Sequence, residues 1–236
     1  MKPVEAVVPA HNEAGRIGAT VRALAGCPQV ARVWVVDDGS TDGTAAEAAR
    51  AGAAVVRLDR RRGKGRALLA GAARTRAPWL LFADADLGDS AAALARLVEL
   101  ALAGAGDMLI AAPPRRPGRH GLGWVVGLAR WGVLRLTGRR LEAPLSGQRV
   151  LRRQVLDTLH PVPAGWGIEV ALTVSALRAG WRVAEIPADI RHRVTGLDWA
   201  GFLHRGRQFW HVAWTLARCS LATARGGHLP RVFPPG

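Results

Sequence analysis

Two aspartates separated by one alanine, Asp84-Ala85-Asp86, close an apolar run from Trp79 to Ala83. Alternate residues of an extended chain point the same way, so both carboxylates face one cation, and hard oxygen ligands suit Mg2+ or Mn2+ bridging a diphosphate. Taken alone, the pair fits two solvated turn aspartates equally well. A second acidic cluster, Asp37-Asp38-Gly39-Ser40-Thr41-Asp42-Gly43-Thr44, follows the run Val33 to Val36. Its acids fit helix caps, and a carboxylate at a strand end also suits the ring N–H of uracil or guanine. Pro9-Ala10-His11-Asn12-Glu13 is a third polar cluster after an apolar run. Gly63-Lys64-Gly65 sets Lys64 between glycines, and Lys2 is the only other lysine.

Positioning these clusters takes a scaffold that gathers the ends of several strands. Short β-branched runs alternate with Ala-rich helical patterns through the first half, the signature of βαβ units around a mostly parallel sheet. Strands are expected at Val4 to Val8, Val33 to Val36, Ala54 to Leu58, Trp79 to Ala83 and Met108 to Ala111. Between them fall a helix with Ile17, Val21 and Leu24 on one face, and a helix capped by Thr41 or Asp42 that runs through Ala51. Two more helices run from Gly63 to about Arg74 and from Ser90 to Ala103. Ligands collect at the carboxyl ends of strands in open α/β sheets, and three of the polar clusters fall at such ends. In the second half, prolines and like charges at Pro113 to Arg119 read as a loop. Leu122 to Leu136 reads as an apolar helix, and Ser146-Gly147-Gln148-Arg149 as a turn into a helix around Val155 and Leu159. A helix from Trp166 to Ala179, a strand from Val183 to Ile186 and a helix from Trp199 to about Ala217 complete the chain.

A chain of 236 residues that is 49% hydrophobic can bury one sizeable core. Its formal charge of +15 attracts polyanions, whether nucleic acid, anionic lipid head groups or diphosphates, although an arginine bias of genomic or thermal origin gives the same count. No helix-turn-helix, zinc finger or aromatic RNA motif accompanies the charge, which argues against nucleic acid. Cys27 and Cys219 lie far apart and suggest neither a disulfide framework nor a zinc site. With no signal peptide at Met1 to Glu5, and with Arg130 and Arg135 breaking the longest apolar stretch, the expected location is cytoplasmic. The Trp- and Arg-bearing helices at Leu122 to Leu136 and Trp199 to Ala217 suit peripheral contact with the inner face of a membrane. Burial of their aromatics in the core or in a homodimer interface is the competing use.

Four motifs in order, Val8-Pro9-Ala10-His11-Asn12-Glu13, Val36 to Thr44, Gly63-Lys64-Gly65 and Asp84-Ala85-Asp86-Leu87, resemble the family-2 glycosyltransferases with the GT-A fold. The resemblance includes the dolichyl/polyprenyl-phosphate sugar synthase type, and it is close over residues 4–90 and loose over 145–196. It implies an α/β fold with an open, mostly parallel twisted sheet flanked by helices, with a catalytic domain at 1–196 and a C-terminal helix and tail at 197–236. The implied activity is metal-dependent, inverting transfer from a nucleotide-diphosphate sugar. Polyprenyl phosphate is the favoured acceptor, and a soluble anion such as a phosphorylated glycerate or sugar is the alternative. A nucleotidyltransferase also uses such a metal site, but its Gly-rich loop after the first strand is replaced here by Pro9 to Glu13.

By the same resemblance, Pro9, His11, Glu13 and Asp38 line the nucleoside pocket, with Asp38 toward the base and Lys64 near the donor. Asp84, Ala85 and Asp86 lie at the ribose, the diphosphate and the Mg2+ or Mn2+, with Asp86 the firmer ligand. Ser146-Gly147-Gln148-Arg149 is similar to the family's Ser-Gly-Phe-Arg segment, which implies Arg149 near phosphate or acceptor. Glu169 is the expected base for a hydroxyl acceptor or an orienting group for a phosphate acceptor, and a first-turn helix acid is the structural alternative. Arg193 matches a diphosphate-facing arginine, and His192 stands where some GT-A enzymes add a metal ligand.

Overall fold

The computed structural model describes residues 2–112, 123–160, 162–163, 167–190 and 199–224, with the backbone alone described at 199–208 and 222–224. The expected loop at 113–119, His192 and Arg193 lie outside the described residues.

Seven strands form one sheet: β1 (Val4–Ala10), β2 (Val30–Asp37), β3 (Ala54–Arg57), β4 (Trp79–Phe82), β5 (Met108–Ala112), β6 (Arg149–Arg152) and β7 (Val183–Pro187). Their order is β3-β2-β1-β4-β6-β5-β7. All pairings are parallel except those of β6, which runs antiparallel to both neighbours. The helices are α1 (Ile17–Ala25), α2 (Thr44–Arg50), α3 (Lys64–Ala72), α4 (Leu94–Leu102), α5 (Gly123–Thr137), α6 (Arg153–Asp157), α7 (Ile168–Arg178) and α8 (Trp199–Ala224). This is the open α/β sheet expected from the alternation of runs.

The period of two along the strands divides the core into two layers. Val4, Ala6 and Val8 of β1 face one way and pack with Ile17 and Val21 of α1 and with Leu94 and Leu97 of α4. Val7 and Val36 face the other way, against Ala67 and Leu68 of α3, and that layer continues through α5, α6, α7 and α8. Gly71 has no side chain where α3 crosses β1 and β2, and a Cβ there would strike the Val7 and Val36 side chains.

Three expectations are corrected. The segment beginning at Ser146 enters β6 before reaching the short α6. Val150 and Leu151 are fully buried on opposite faces, so this four-residue strand is apolar on both sides and too short to show a period. The helix expected from Ser90 is a 3-10 segment, Gly88–Ala93, leading into α4. The last helix extends to Ala224 and packs on α5 and α7, with Gly132 beneath Leu216 and Gly167 beneath Thr215.

The half of the sheet containing β5, β6 and β7 is tied at one point. Asp107 accepts the Arg182 backbone N–H at 3.1 Å, Arg182 Nε at 3.3 Å and Arg152 Nε at 3.0 Å. Burial alone raises its pKa, but these hydrogen bonds outweigh burial and hold the carboxyl below its ordinary value of 3.8. A depressed carboxyl contributes stability that is present above 3.8 and lost as pH falls through the folded-state value. Both arginines are largely exposed, so screening limits the contribution to about 1 kcal/mol. Urea unfolding of Asp107→Asn should show that loss at pH 7 and a difference from the wild type that narrows as pH falls below 3.8. A loss that persists undiminished in acid would assign it to packing.

Candidate active site

Strand ends and one glycine bring the first two motifs together. The 11–14 segment is stitched to 40–44. The Asn12 N–H donates to Ser40 Oγ, the Thr41 N–H to Asn12 Oδ1, the Glu13 N–H to Thr44 Oγ1 and the Ala14 N–H to Asp42 Oδ2. Asn12 adopts φ 56°, a left-handed conformation that asparagine tolerates. Asp42 also accepts the Thr44 N–H at 3.0 Å from one position before the N-cap, which is Gly43 and not the expected Thr41 or Asp42. His11 donates from Nδ1 to the Asp38 carbonyl oxygen at 3.0 Å, and Pro9 lies half-buried in β1.

Asp38, expected toward the base, carries a structural task in this fold. Its buried carboxylate accepts the Arg62 N–H at 2.6 Å and the Gly63 N–H at 2.8 Å. Both oxygens therefore hold the loop that launches α3, and the negative charge sits at the helix start, where the dipole favours it. Gly39 lets that loop close: its φ is +72°, and a Cβ would lie 2.7 Å from the Arg61 backbone nitrogen. The second motif thus positions the third, with Lys64 as the first residue of α3.

Lys64 reaches across to the carboxyl end of β4. Its Nζ lies 2.6 Å from Asp84 Oδ1 and 2.8 Å from Glu169 Oε1, the latter on the first turn of α7. Burial alone would push the ammonium pKa down, but the charges of Asp84 and Glu169 and their hydrogen bonds together carry it above the ordinary lysine value. Asp84 Oδ2 accepts Gln148 Nε2 at 2.7 Å, and Gln148 Oε1 in turn accepts the Ser146 hydroxyl at 3.1 Å. Gly147 forms the wall beside them, where a Cβ would lie 2.5 Å from Lys64 Nζ. The loop before β6 is held by Glu185, which accepts the Glu142 and Ala143 N–H groups at 2.7 and 2.6 Å.

Arg149, expected near phosphate or acceptor, is buried within the fold. It is 1% exposed, and its guanidinium donates to the carbonyls of Ser146, Pro144 and Glu169 and to Thr173 Oγ1. Burial pushes its pKa down to about 10, against the pull of Glu169, Glu185 and Asp84. It braces the entry to β6 from inside the fold, through the backbone oxygens of Pro144, Ser146 and Glu169.

Lys64, Asp84 and Glu169, far apart in sequence, thus meet at one point. Gln148 and Gly147, named only as part of a motif that pointed to Arg149, join them. The available signal was a polar glutamine standing where the similar segment carries phenylalanine. Ala85 is buried between the half-buried Asp84 and Asp86, and Ala85-Asp86 form a turn and not the expected extended chain. Among the described residues, no cluster of three or more His, Cys, Asp or Glu is gathered for a metal ion. The carboxylate oxygens of this segment fit a hard divalent ion whose remaining ligands come from a diphosphate. A cavity of about 350 Å3 lined by Glu5, Arg32, Trp34, Arg74 and Arg76 lies at the opposite, amino end of the sheet, away from these carboxylates.

The family described as glycosyl transferase family 2 matches residues 5–163. An uncharacterized glycosyltransferase of Mycobacterium tuberculosis is 35% identical over 220 residues, covering 89% of this chain and 97% of that protein. The polyprenol monophosphomannose synthase of Mycolicibacterium smegmatis is 31% identical over 245 residues, covering 93% and 89% respectively. Among solved structures, the glucosyl-3-phosphoglycerate synthase of Mycobacterium tuberculosis in complex with Mn2+, uridine-diphosphate-glucose and phosphoglyceric acid aligns with a TM-score of 0.76 at 28% identity, covering 93% of this chain and 80% of that one.

Proposed function

The chain belongs to glycosyl transferase family 2, and from that premise we propose that it moves a sugar, with inversion, from a nucleotide-diphosphate sugar onto a polyprenyl phosphate. The observation that carries the reading is the meeting of Asp84, Lys64 and Glu169 at the carboxyl end of β4, two residues before Asp86. Asp86 would hold a Mg2+ or Mn2+ ion, with His192 as a further ligand, and the ion would supply positive charge to the departing diphosphate. Arg193 would add charge to the same group, and Pro9, His11 and Glu13 would border the nucleoside.

Two features support a lipid-phosphate acceptor. Glu169 is buried and paired with Lys64, a poor arrangement for taking a proton, and a phosphate oxyanion needs no base. Trp124 and Trp131 on α5 and Trp210 and Trp214 on α8 are between 61% and 89% exposed on two helices that pack together. Such rings suit the head-group region, and no helix among the described residues is long and apolar enough to cross a membrane. The second reading, a soluble phosphoglycerate acceptor, is supported by the likeness to the glucosyl-3-phosphoglycerate synthase.

The test supplies Mn2+ with UDP- and GDP-sugars, and offers polyprenyl phosphate in anionic vesicles beside 3-phosphoglycerate in detergent-free buffer. Transfer to the lipid is expected, together with salt-sensitive co-sedimentation that Trp124→Ser/Trp131→Ser reduces. Transfer to phosphoglycerate alone, without vesicle binding at low salt, moves the assignment to the soluble acceptor. Transfer to neither overturns both.

A further inference from the structure

We infer that Gln148 is a positioning residue for donor binding, acting through Asp84. The inference rests on the donor-site reading of Asp84-Ala85-Asp86. Both oxygens of the Asp84 carboxylate have assigned partners: Oδ1 meets Lys64 Nζ at 2.6 Å and Oδ2 meets Gln148 Nε2 at 2.7 Å. Two donors at opposite oxygens fix the plane of a carboxylate as well as its direction, which a single ion pair does not. Gln148 cannot turn away. It is buried, and its Oε1 accepts the Ser146 hydroxyl at 3.1 Å, so its amide nitrogen is the end that faces Asp84.

The same geometry explains why glutamine occupies this position at the mouth of β6. Asp84 and Glu169 share one ammonium. A second cation at 148 would draw Asp84 off Lys64, and an apolar side chain would take the Gln148 donor from Oδ2. A neutral donor holds Asp84 without competing for it. Gly147 completes the arrangement, since any side chain there would meet Lys64 Nζ and Asp84 Oδ1. The segment Ser146-Gly147-Gln148 therefore aims the first carboxylate of the Asp-Ala-Asp pair. Nucleoside diphosphate affinity should report that aim even when no sugar is transferred.

The experiment is isothermal calorimetry with Mn2+ and whichever of UDP, GDP, dTDP and CDP binds the wild type best, on Gln148→Met, Asp84→Ala and the double variant. Methionine keeps the volume and removes the donor. Gln148→Met is expected to weaken binding about tenfold and Asp84→Ala about thirtyfold. The double variant should match Asp84→Ala within a factor of two, because Gln148 has nothing left to position. In transfer assays, Gln148→Met should raise the donor KM by the same factor and leave the acceptor KM within twofold. Should the methionine variant fold poorly, Gln148→Asn, which keeps an amide one methylene short of Asp84, is expected to show the same loss. Wild-type affinity in Gln148→Met, or a full tenfold added on top of Asp84→Ala, overturns the inference and leaves the donor-site reading intact. Unchanged binding in Asp84→Ala overturns the donor-site reading itself.

Discussion

Asp86→Ala should reduce sugar transfer by roughly 10³-fold or more while the unfolding midpoint stays close to that of the wild type. Loss of a single group that stabilises developing charge typically lowers kcat by about 10²–10³, and an acid that also holds the divalent ion acts on donor binding as well. Asp86 is half-buried in the turn after β4, outside the packed layers, so removing its carboxylate should change stability by less than about 1 kcal/mol. Asp86→Asn separates charge from shape and is expected to be nearly as inactive, because an amide oxygen is a weaker ligand for a hard cation. The readouts are initial transfer rates and nucleoside diphosphate affinity with and without Mn2+. In the wild type, Mn2+ should strengthen binding; in Asp86→Ala, the two affinities should coincide. If the alanine variant retains more than a tenth of the wild-type rate, the ion is held elsewhere.

Lys64→Met is expected to lower both stability and activity. The variant leaves Asp84 and Glu169 facing each other with no cation between them, in a place where the Glu169 side chain is 6% and the Asp84 side chain 25% exposed. Breaking a buried ion pair by deleting one partner typically destabilises by 3–5 kcal/mol. The partial exposure of Asp84 and its bond to Gln148 favour the lower end, about 3 kcal/mol. For a chain of this length that corresponds to a fall in Tm of roughly 6–12 °C. A second substitution distinguishes the two effects: Lys64→Met/Glu169→Leu replaces the unpaired buried charge with apolar contact and should recover much of the Tm. Transfer should remain lost in the double variant, since Asp84 has still lost its cation. A Lys64→Met protein as stable as the wild type would mean that Asp84 and Glu169 are solvated well enough to need no counter-charge.

The sequence made the sheet legible wherever a run was long enough to carry a period, as in β1 and β2, and wherever a polar cluster marked the run's end. It left β6 unread, because Arg149-Val150-Leu151-Arg152 is apolar at only two positions and each faces a different core layer. Motif resemblance marked Lys64, Asp84 and Glu169 individually, and the structure brings them within ion-pair distance of one another. Asp38 and Arg149 have backbone partners that the motifs did not announce. A carboxylate followed by glycine, or an arginine beside a strand, looks the same whether its partners are a ligand or the backbone. The positions of the Arg62, Gly63, Pro144 and Ser146 backbone groups become visible only in the folded chain.

The antiparallel β6 also sets an order of assembly. Strands β1 to β4 lie within the first 82 residues and pair with one another, so that half of the sheet needs no later part of the chain. Among the described residues, β5 pairs in the sheet only with β6 and β7, and when Met108–Ala112 leaves the ribosome neither partner has been made. Until Arg149–Arg152 emerges, β4 presents the open edge Trp79-Leu80-Leu81-Phe82, an apolar template for pairing with other chains. The step that closes this edge also delivers Gly147 and Gln148 to Asp84, so burial of the vulnerable strand and completion of the carboxylate cluster are one kinetic event. Slow synthesis between residues 82 and 149 would lengthen the interval of exposure without altering the final structure.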